Sequence, residues 1–221
     1  PPPHPGGTWA GYQKFTAKFY ENKKAVKDFE RHIKKIIGRT NSINGRKFIE
    51  KYKRDFWLDL KINDIPQTAL SAINSLKDLK KCKYITVHAN GGLVMLKAIK
   101  KHAKKINKNL KVLGVTILTS LNNKSLKEIG HTKNVQQLVL KQAELIKKSG
   151  CDGIVCSPQE SKMIRKKFKN LLIITPGIRL PGDNSNDQAR VMTPKDAFKS
   201  RVSGIVMGLS LIHISEPTRQ P

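Results

Sequence analysis

Acidic residues are scarce in this chain: 16 Asp+Glu stand against 43 Lys+Arg, a formal net charge of +27 over 221 residues. Such a surplus invites a nucleic-acid reading. Aromatic residues are also scarce, at 6%, and they build no stacking platform along the lysine-rich segments. The lysines recur instead through almost every helical segment, as in Lys100-Lys101, Lys104-Lys105, Lys147-Lys148 and Lys166-Lys167, which reads as solvated helix faces and argues against nucleic-acid binding. Cys82, Cys151 and Cys156 are odd in number and lack metal-ligand spacing, so a reduced compartment is expected rather than a disulfide framework. The six histidines form no H-E-x-x-H and no Cys/His cluster, so no zinc site can be read. No apolar run approaches the length of a membrane span and no signal peptide is visible. The expectation is a soluble, cytoplasmic protein that binds neither nucleic acid nor membrane.

What is present centres on residues 56–68, FWLDLKINDIPQT. Phe56, Leu58, Leu60 and Ile62 fall on one side of an extended chain, and Trp57, Asp59, Lys61 and Asn63 on the other. Asp59 and Lys61 therefore share a face. Asp64 follows at the strand's end, and Pro66 opens a turn towards a helix expected to start near Thr68. Acid, base and acid fall within six residues at the carboxyl end of a strand, where parallel α/β proteins place their chemistry. One reading is a solvated, charged strand edge. The other is a partly buried lysine held protonated by two carboxylates, since the charges sit between Trp57 and Ile65 in an otherwise apolar run. Such a lysine is a general acid suited to a carbanion.

Residues 1–14 are Pro/Gly-rich and read as a leader outside the fold. Phe15–Tyr20 and Ile33–Gly38 are weak strand candidates around a helix at Glu21–Lys34, and Arg46–Lys53 is a helix leading into the central strand. Beyond it the alternation is regular. Helix Thr68–Leu79 precedes strand Tyr84–His88, and Gly91-Gly92 leads into helix Leu93–Ile106. Strand Val112–Leu118 ends in Thr119-Ser120, with a short helix around Ser125–Ile129. Asn134 caps a long helix that Gly150 ends. Strand Gly153–Cys156 runs into Ser157-Pro158-Gln159-Glu160, a capping box with proline at the first helical position. Strand Leu171–Thr175 leads to a long loop, Thr193-Pro194 starts a helix, and Gly204–Met207 is the last strand. Eight βα units in this length predict an α/β fold with a parallel sheet closed as a TIM (β/α)8 barrel over residues 15–208, with incomplete first and last units. Residues 209–221 read as a tail outside it.

The long loop, Pro176–Met192, carries Gly177, Arg179, Gly182, Asp187, Gln188 and Arg190. A glycine-rich rim loop with a fork-donor arginine and an amide suits an anionic, ring-bearing ligand. Arg179 could equally brace the loop. In a barrel, the loops after the seventh and eighth strands commonly hold phosphate; Arg179 follows the seventh and Gly208 the eighth.

Five ordered segments carry a resemblance: DLKINDIPQT (59–68), TVHANGG (86–92), GVTILTSL (114–121), DGIVCSPQE (152–160) and TPGIRLPGDNSNDQARVMTP (175–194). Together they resemble the orotidine 5'-monophosphate decarboxylase family, the last enzyme of de novo UMP synthesis, from about Glu21 to Gly208. The resemblance implies a homodimeric TIM barrel that binds orotidine 5'-monophosphate and works without metal or organic cofactor. It implies that Asp59, Lys61 and Asp64 form a charged array. Lys61 would donate a proton to C6 of the pyrimidine, and Asp59 would face the substrate carboxylate. Asp64 would reach the neighbouring subunit's site, with Ile65 and Thr68 on the shared edge. Thr119 would touch the pyrimidine, Gln188 would bridge base and phosphate, and Arg179 and Gly208 would meet the phosphate.

The ends depart from the family pattern. The first strand lacks the aspartate that binds the nucleoside, reading FTAKFY at 15–20. The K-x-G lysine of the second strand is Ile36 here, and Lys35, one place off, is its stand-in for the array. Leu209 stands where an arginine should grip phosphate, so weak phosphate binding is expected. Two alternatives stay open: a sister sugar-phosphate lyase, which would need a metal, and an inactive basic barrel serving as a binding module.

Overall fold

The computed structural model describes residues 55–179 and 190–206. The expected elements before residue 55 lie outside the described residues, as do the proposed leader and tail. So do Lys35, Gln188, Gly208 and Leu209.

Six parallel strands form one sheet in sequence order: β1 (Phe56–Ile62), β2 (Cys82–His88), β3 (Lys111–Val115), β4 (Gly153–Val155), β5 (Leu172–Thr175) and β6 (Gly204–Ile205). Helices fill the crossovers: α1 (Pro66–Asn74), α2 (Gly92–Ile106), α3 (Asn123–Glu128), α4 (Val135–Ser149), α5 (Pro158–Lys167) and α6 (Pro194–Lys199). An order that never reverses is singly wound, the pattern of a barrel wall and not of a doubly wound sheet. The fold is an α/β barrel of the TIM class, of which six consecutive strands are described.

Two apolar clusters lie on opposite faces of the sheet. The larger joins strand residues such as Leu58, Ile85, Val87, Val112, Ile154 and Ile173 to helix residues such as Ile73, Leu96, Ile99, Val139 and Ile146. The smaller holds the alternate strand positions Leu113, Val115, Val155 and Ile174, with Trp57, Tyr84 and Val206 packed against them. Burial on both faces is why β3 to β5 are apolar apart from Lys111 and Thr175 at their ends. The lysines keep to the outer helix faces: Lys101, Lys104, Lys105, Lys147, Lys148, Lys166 and Lys167 are all exposed. All three cysteines are free and buried. Burial pushes the Cys82 thiol up to about 12 and Cys151 up to about 11, so neither is a reactive thiolate at neutral pH. Among the described residues no helix is long and apolar enough to cross a membrane.

Local signals set most helix ends. The Asn134 side chain accepts from Gln137 N–H while Gln137 returns the bond, and Gly150 closes α4 in the left-handed region at φ 79°. Ser157 caps α5 ahead of Pro158, and Thr193 caps α6 ahead of Pro194. Some expected bounds are corrected. Helix α1 starts at Pro66, not Thr68, because proline takes the first helical position itself, and it ends at Asn74, not Leu79, in successive turns. Strand β3 stops at Val115, not Leu118, because the facing β4 offers only three residues to pair with. Thr116 and Ile117 stay buried beyond the ladder, which is why the apolar run outlasts the strand.

Candidate active site

Strand β1 does not pair with β2 one for one. Leu58 lies opposite Ile85 and Ile62 opposite Val87, so four steps along β1 match two along β2. The surplus is a bulge holding Asp59, Leu60 and Lys61. Bulges bend a strand and re-aim its side chains, and they gather beside active sites. Here the bulge puts Lys61 at φ 47°, a left-handed conformation that costs a non-glycine residue roughly 1–2 kcal/mol.

Within it, Lys61 Nζ donates to Asp59 Oδ2 at 2.5 Å. The two side chains are 42% and 50% exposed. The pair is thus half-exposed: the charges stand at the open end of the strand, beyond the apolar floor of Trp57 and Tyr84. Those two rings meet edge to face, with centroids 6.3 Å apart. Successive residues on the face of Tyr84 are Thr86 and His88, at the same end as the charges. Thr86 is fully buried. Its hydroxyl accepts from Lys61 N–H at 2.9 Å and donates to Asp59 Oδ1 at 2.7 Å. His88 is half-buried, and its Nδ1 is enclosed without a hydrogen-bond partner among the described residues. Burial, and then the Lys61 ammonium, hold His88 below its ordinary value, while Asp59 opposes them.

Asp64 is exposed, and its carboxylate accepts from Ile65 N–H at 2.7 Å. Ile65 is 67% exposed and Thr68 is exposed beside it, so this edge faces away from the chain's own core. Thr119 is buried after β3. Arg179 follows β5; its Nη1 donates to Ile178 carbonyl at 3.0 Å, and its N–H donates to Met192 carbonyl at 3.1 Å. Met192 N–H donates in turn to Gly177 carbonyl at 3.1 Å, so the two ends of the long loop are laced together. Gly177 has φ 75°, a conformation open to glycine at little cost.

Arg190, to which the sequence assigned no role, braces the site from behind. It is buried and pairs with Glu160 at 2.5 Å, and its Nη2 donates to the carbonyls of Ile117 at 3.3 Å and Leu118 at 2.8 Å. It therefore ties the segments after β3, β4 and β5 together two residues from Thr119. The structure thus joins Asp59 to Lys61 and sets Asp64, Ile65 and Thr68 on an exposed edge. Thr86, His88 and the Glu160–Arg190 pair were not assigned from sequence. The shared period of Tyr84, Thr86 and His88 was the available signal for the first two. Among the described residues no three His, Cys, Asp or Glu side chains gather at metal-binding distance.

A parallel βα barrel with a carboxylate–ammonium pair at the carboxyl end of a strand has charged groups where enzymes of this fold place their chemistry. The profile of the Orotidine 5'-phosphate decarboxylase / HUMPS family matches residues 40–220, and the chain belongs to that family. It is 40% identical over 173 residues to the orotidine 5'-phosphate decarboxylase of Staphylococcus epidermidis, covering 77% of this chain and 75% of the relative. It is 37% identical over 181 residues to that of Coxiella burnetii, covering 79% and 76%. The crystal structure of orotidine 5'-phosphate decarboxylase from Lactobacillus acidophilus superimposes with a TM-score of 0.63 at 33% identity, covering 72% of this chain and 70% of that one. An uncharacterised conserved protein from Geobacillus kaustophilus gives 0.63 at 26% identity, covering 86% and 89%.

Proposed function

We infer that this chain is a carboxy-lyase that converts orotidine 5'-monophosphate to UMP, with Lys61 as proton donor. The observation that carries the reading is the Asp59–Lys61 pair on the β1 bulge, in a family member whose similar relatives bear that enzyme's name. In the proposed reaction the bond from C6 to the carboxylate breaks, carbon dioxide leaves, and the electron pair stays on C6. The Lys61 ammonium opposes that charge as it develops and then gives C6 a proton, leaving a neutral amine to be reprotonated from solvent. Asp59 holds the lysine and faces the departing carboxylate. No metal or organic cofactor enters this scheme.

The remaining assignments follow the resemblance. Thr119 meets the pyrimidine, Gln188 spans base and phosphate, Arg179 and the Gly208 backbone take phosphate, and Lys35 completes the array. Binding energy from the remote phosphate supports turnover at C6. The protein acts in the cytoplasm as a homodimer with shared sites, Asp64 crossing to the partner subunit with Ile65 and Thr68 at the seam. Support for the seam comes from exposed apolar groups at the starts of adjacent helices: Ile65 is 67% exposed and Val94 is 72% exposed. Neither nucleic acid nor membrane is a partner in this reading.

The test is an assay of the full purified chain, following loss of orotidylate absorbance with and without a chelator. Turnover indifferent to the chelator is expected. No turnover of orotidylate, or turnover of a sugar phosphate that the chelator abolishes, would overturn the reading in favour of a scaffold or a sister lyase respectively.

A further inference from the structure

We propose that Thr86 is a positioning residue for Lys61, directing the ammonium through both the bulged backbone and Asp59. The inference rests on the reading of Lys61 as proton donor. A non-glycine residue at φ 47° persists only where its surroundings over-determine it, and at Lys61 the surroundings include one hydroxyl. The bulge displaces Lys61 from the ladder with β2, and its N–H donates to Thr86 Oγ1 at 2.9 Å. A hydroxyl has a single proton to donate, and Thr86 spends it on Asp59 Oδ1 at 2.7 Å. The other oxygen of that carboxylate receives Lys61 Nζ at 2.5 Å. The ring is closed: Lys61 N–H to Thr86, Thr86 to one oxygen of Asp59, and Lys61 Nζ to the other.

Thr86 is the fully buried member of this ring, while Asp59 and Lys61 are half-exposed. Exposed ion pairs by themselves fix geometry poorly, because solvent competes and long side chains keep their freedom. The buried hydroxyl therefore supplies the anchor that an open-ended pair lacks. It also ties strain to function: release of Thr86 frees the backbone of Lys61 to relax and swings the ammonium off its line. Thr86 need touch no substrate for this, so its loss should act on the proton-transfer geometry more than on binding.

The test is Thr86→Val, which keeps the shape and removes both hydrogen bonds, beside Thr86→Ser, which restores the hydroxyl. Displacements of about an ångström at a reacting group cost roughly a hundredfold, so kcat on orotidylate should fall about 10- to 100-fold with KM changed far less. Thr86→Ser should recover most of that loss. Wild-type kcat in Thr86→Val, or a serine variant as impaired as the valine one, would overturn the proposal. If Thr86→Val does not fold, Thr86→Ala carries the same comparison. Crystal structures of the wild type and variant decide the matter without turnover: Lys61 should leave positive φ and part from Asp59 when the hydroxyl is gone. An unchanged Lys61 overturns the inference. A wild type that does not turn over orotidylate overturns the functional reading and leaves the structural comparison to decide this one.

Discussion

Glu160 and Arg190 are 30 residues apart in the chain and form a 2.5 Å ion pair in which both side chains are under 10% exposed. The guanidinium also serves the carbonyls of Ile117 and Leu118, so one side chain closes three segments at the strand ends. Burial pushes the Glu160 carboxyl up, and Arg190 pulls it back down. Removing one partner of a buried pair leaves a charge with no compensation. Arg190→Met and Glu160→Gln should each lose on the order of 3–5 kcal/mol in urea unfolding. Combining Arg190→Met with Glu160→Gln should lose less than the two single losses together, because no lone charge remains. Additive losses in the double variant would show that the pair is not coupled.

Gly153 sits in the middle strand of the described sheet, paired with Leu113 on one side and Leu172 on the other. A Cβ built there would lie 2.6 Å from Leu172 Cβ and 2.8 Å from both Leu172 carbonyl oxygen and Leu113 Cδ2. A backbone oxygen cannot rotate aside, so the strand itself must shift. Gly153→Ala is expected to cost about 1–3 kcal/mol, as overpacked cores do. Gly92→Ala is the contrast: it meets nothing within 4 Å, but φ 79° with ψ 172° is a conformation essentially restricted to glycine, so its cost of about 1–3 kcal/mol is backbone strain and not packing. A wild-type unfolding midpoint in Gly153→Ala would refute the packing argument.

Much of this was legible in the sequence because its causes are local. Asn134 with Gln137, Gly150, Ser157-Pro158 and Thr193-Pro194 mark helix ends through bonds spanning a few residues, and each end was placed to within a residue or two. The Asp59–Lys61 contact was legible for the same reason, since residues two apart share a strand face. What was not legible depends on distant partners. The bulge and the left-handed Lys61 need Thr86, 25 residues on. Arg190 carried no role in the sequence reading, because only the fold brings Glu160 to it.

His88 gives a pH signature. Its imidazole is held below its ordinary value of 6.5, mainly by burial and next by Lys61. The folded protein thus takes up this proton less readily than the unfolded chain. For a depressed group the contribution is present above the unfolded value and is lost as pH falls towards the folded one. From pH 7 downward, through 6.5 and below, the wild type should lose unfolding free energy faster than His88→Asn, which cannot titrate. Parallel losses in the two proteins would show that His88 titrates normally.

The shared-site dimer yields the sharpest test of the charged array. Lys61→Ala should abolish turnover with its circular dichroism unchanged, since the side chain is half-exposed and carries little of the core. Asp64→Asn should fold equally well, because its carboxylate is exposed and bonds only its neighbour's N–H among the contacts described. If Asp64 serves the partner subunit's site, each mixed dimer has one site with both residues intact and one with neither. A two-fold dimer exchanged to equilibrium at equal concentrations is half heterodimer, so about a quarter of wild-type activity should return. Native mass spectrometry would establish that exchange occurred. Activity that stays at the level of the separate variants, despite exchange, would mean that Asp64 acts within its own chain. The exposed edge of Asp64, Ile65 and Thr68 would then need another explanation.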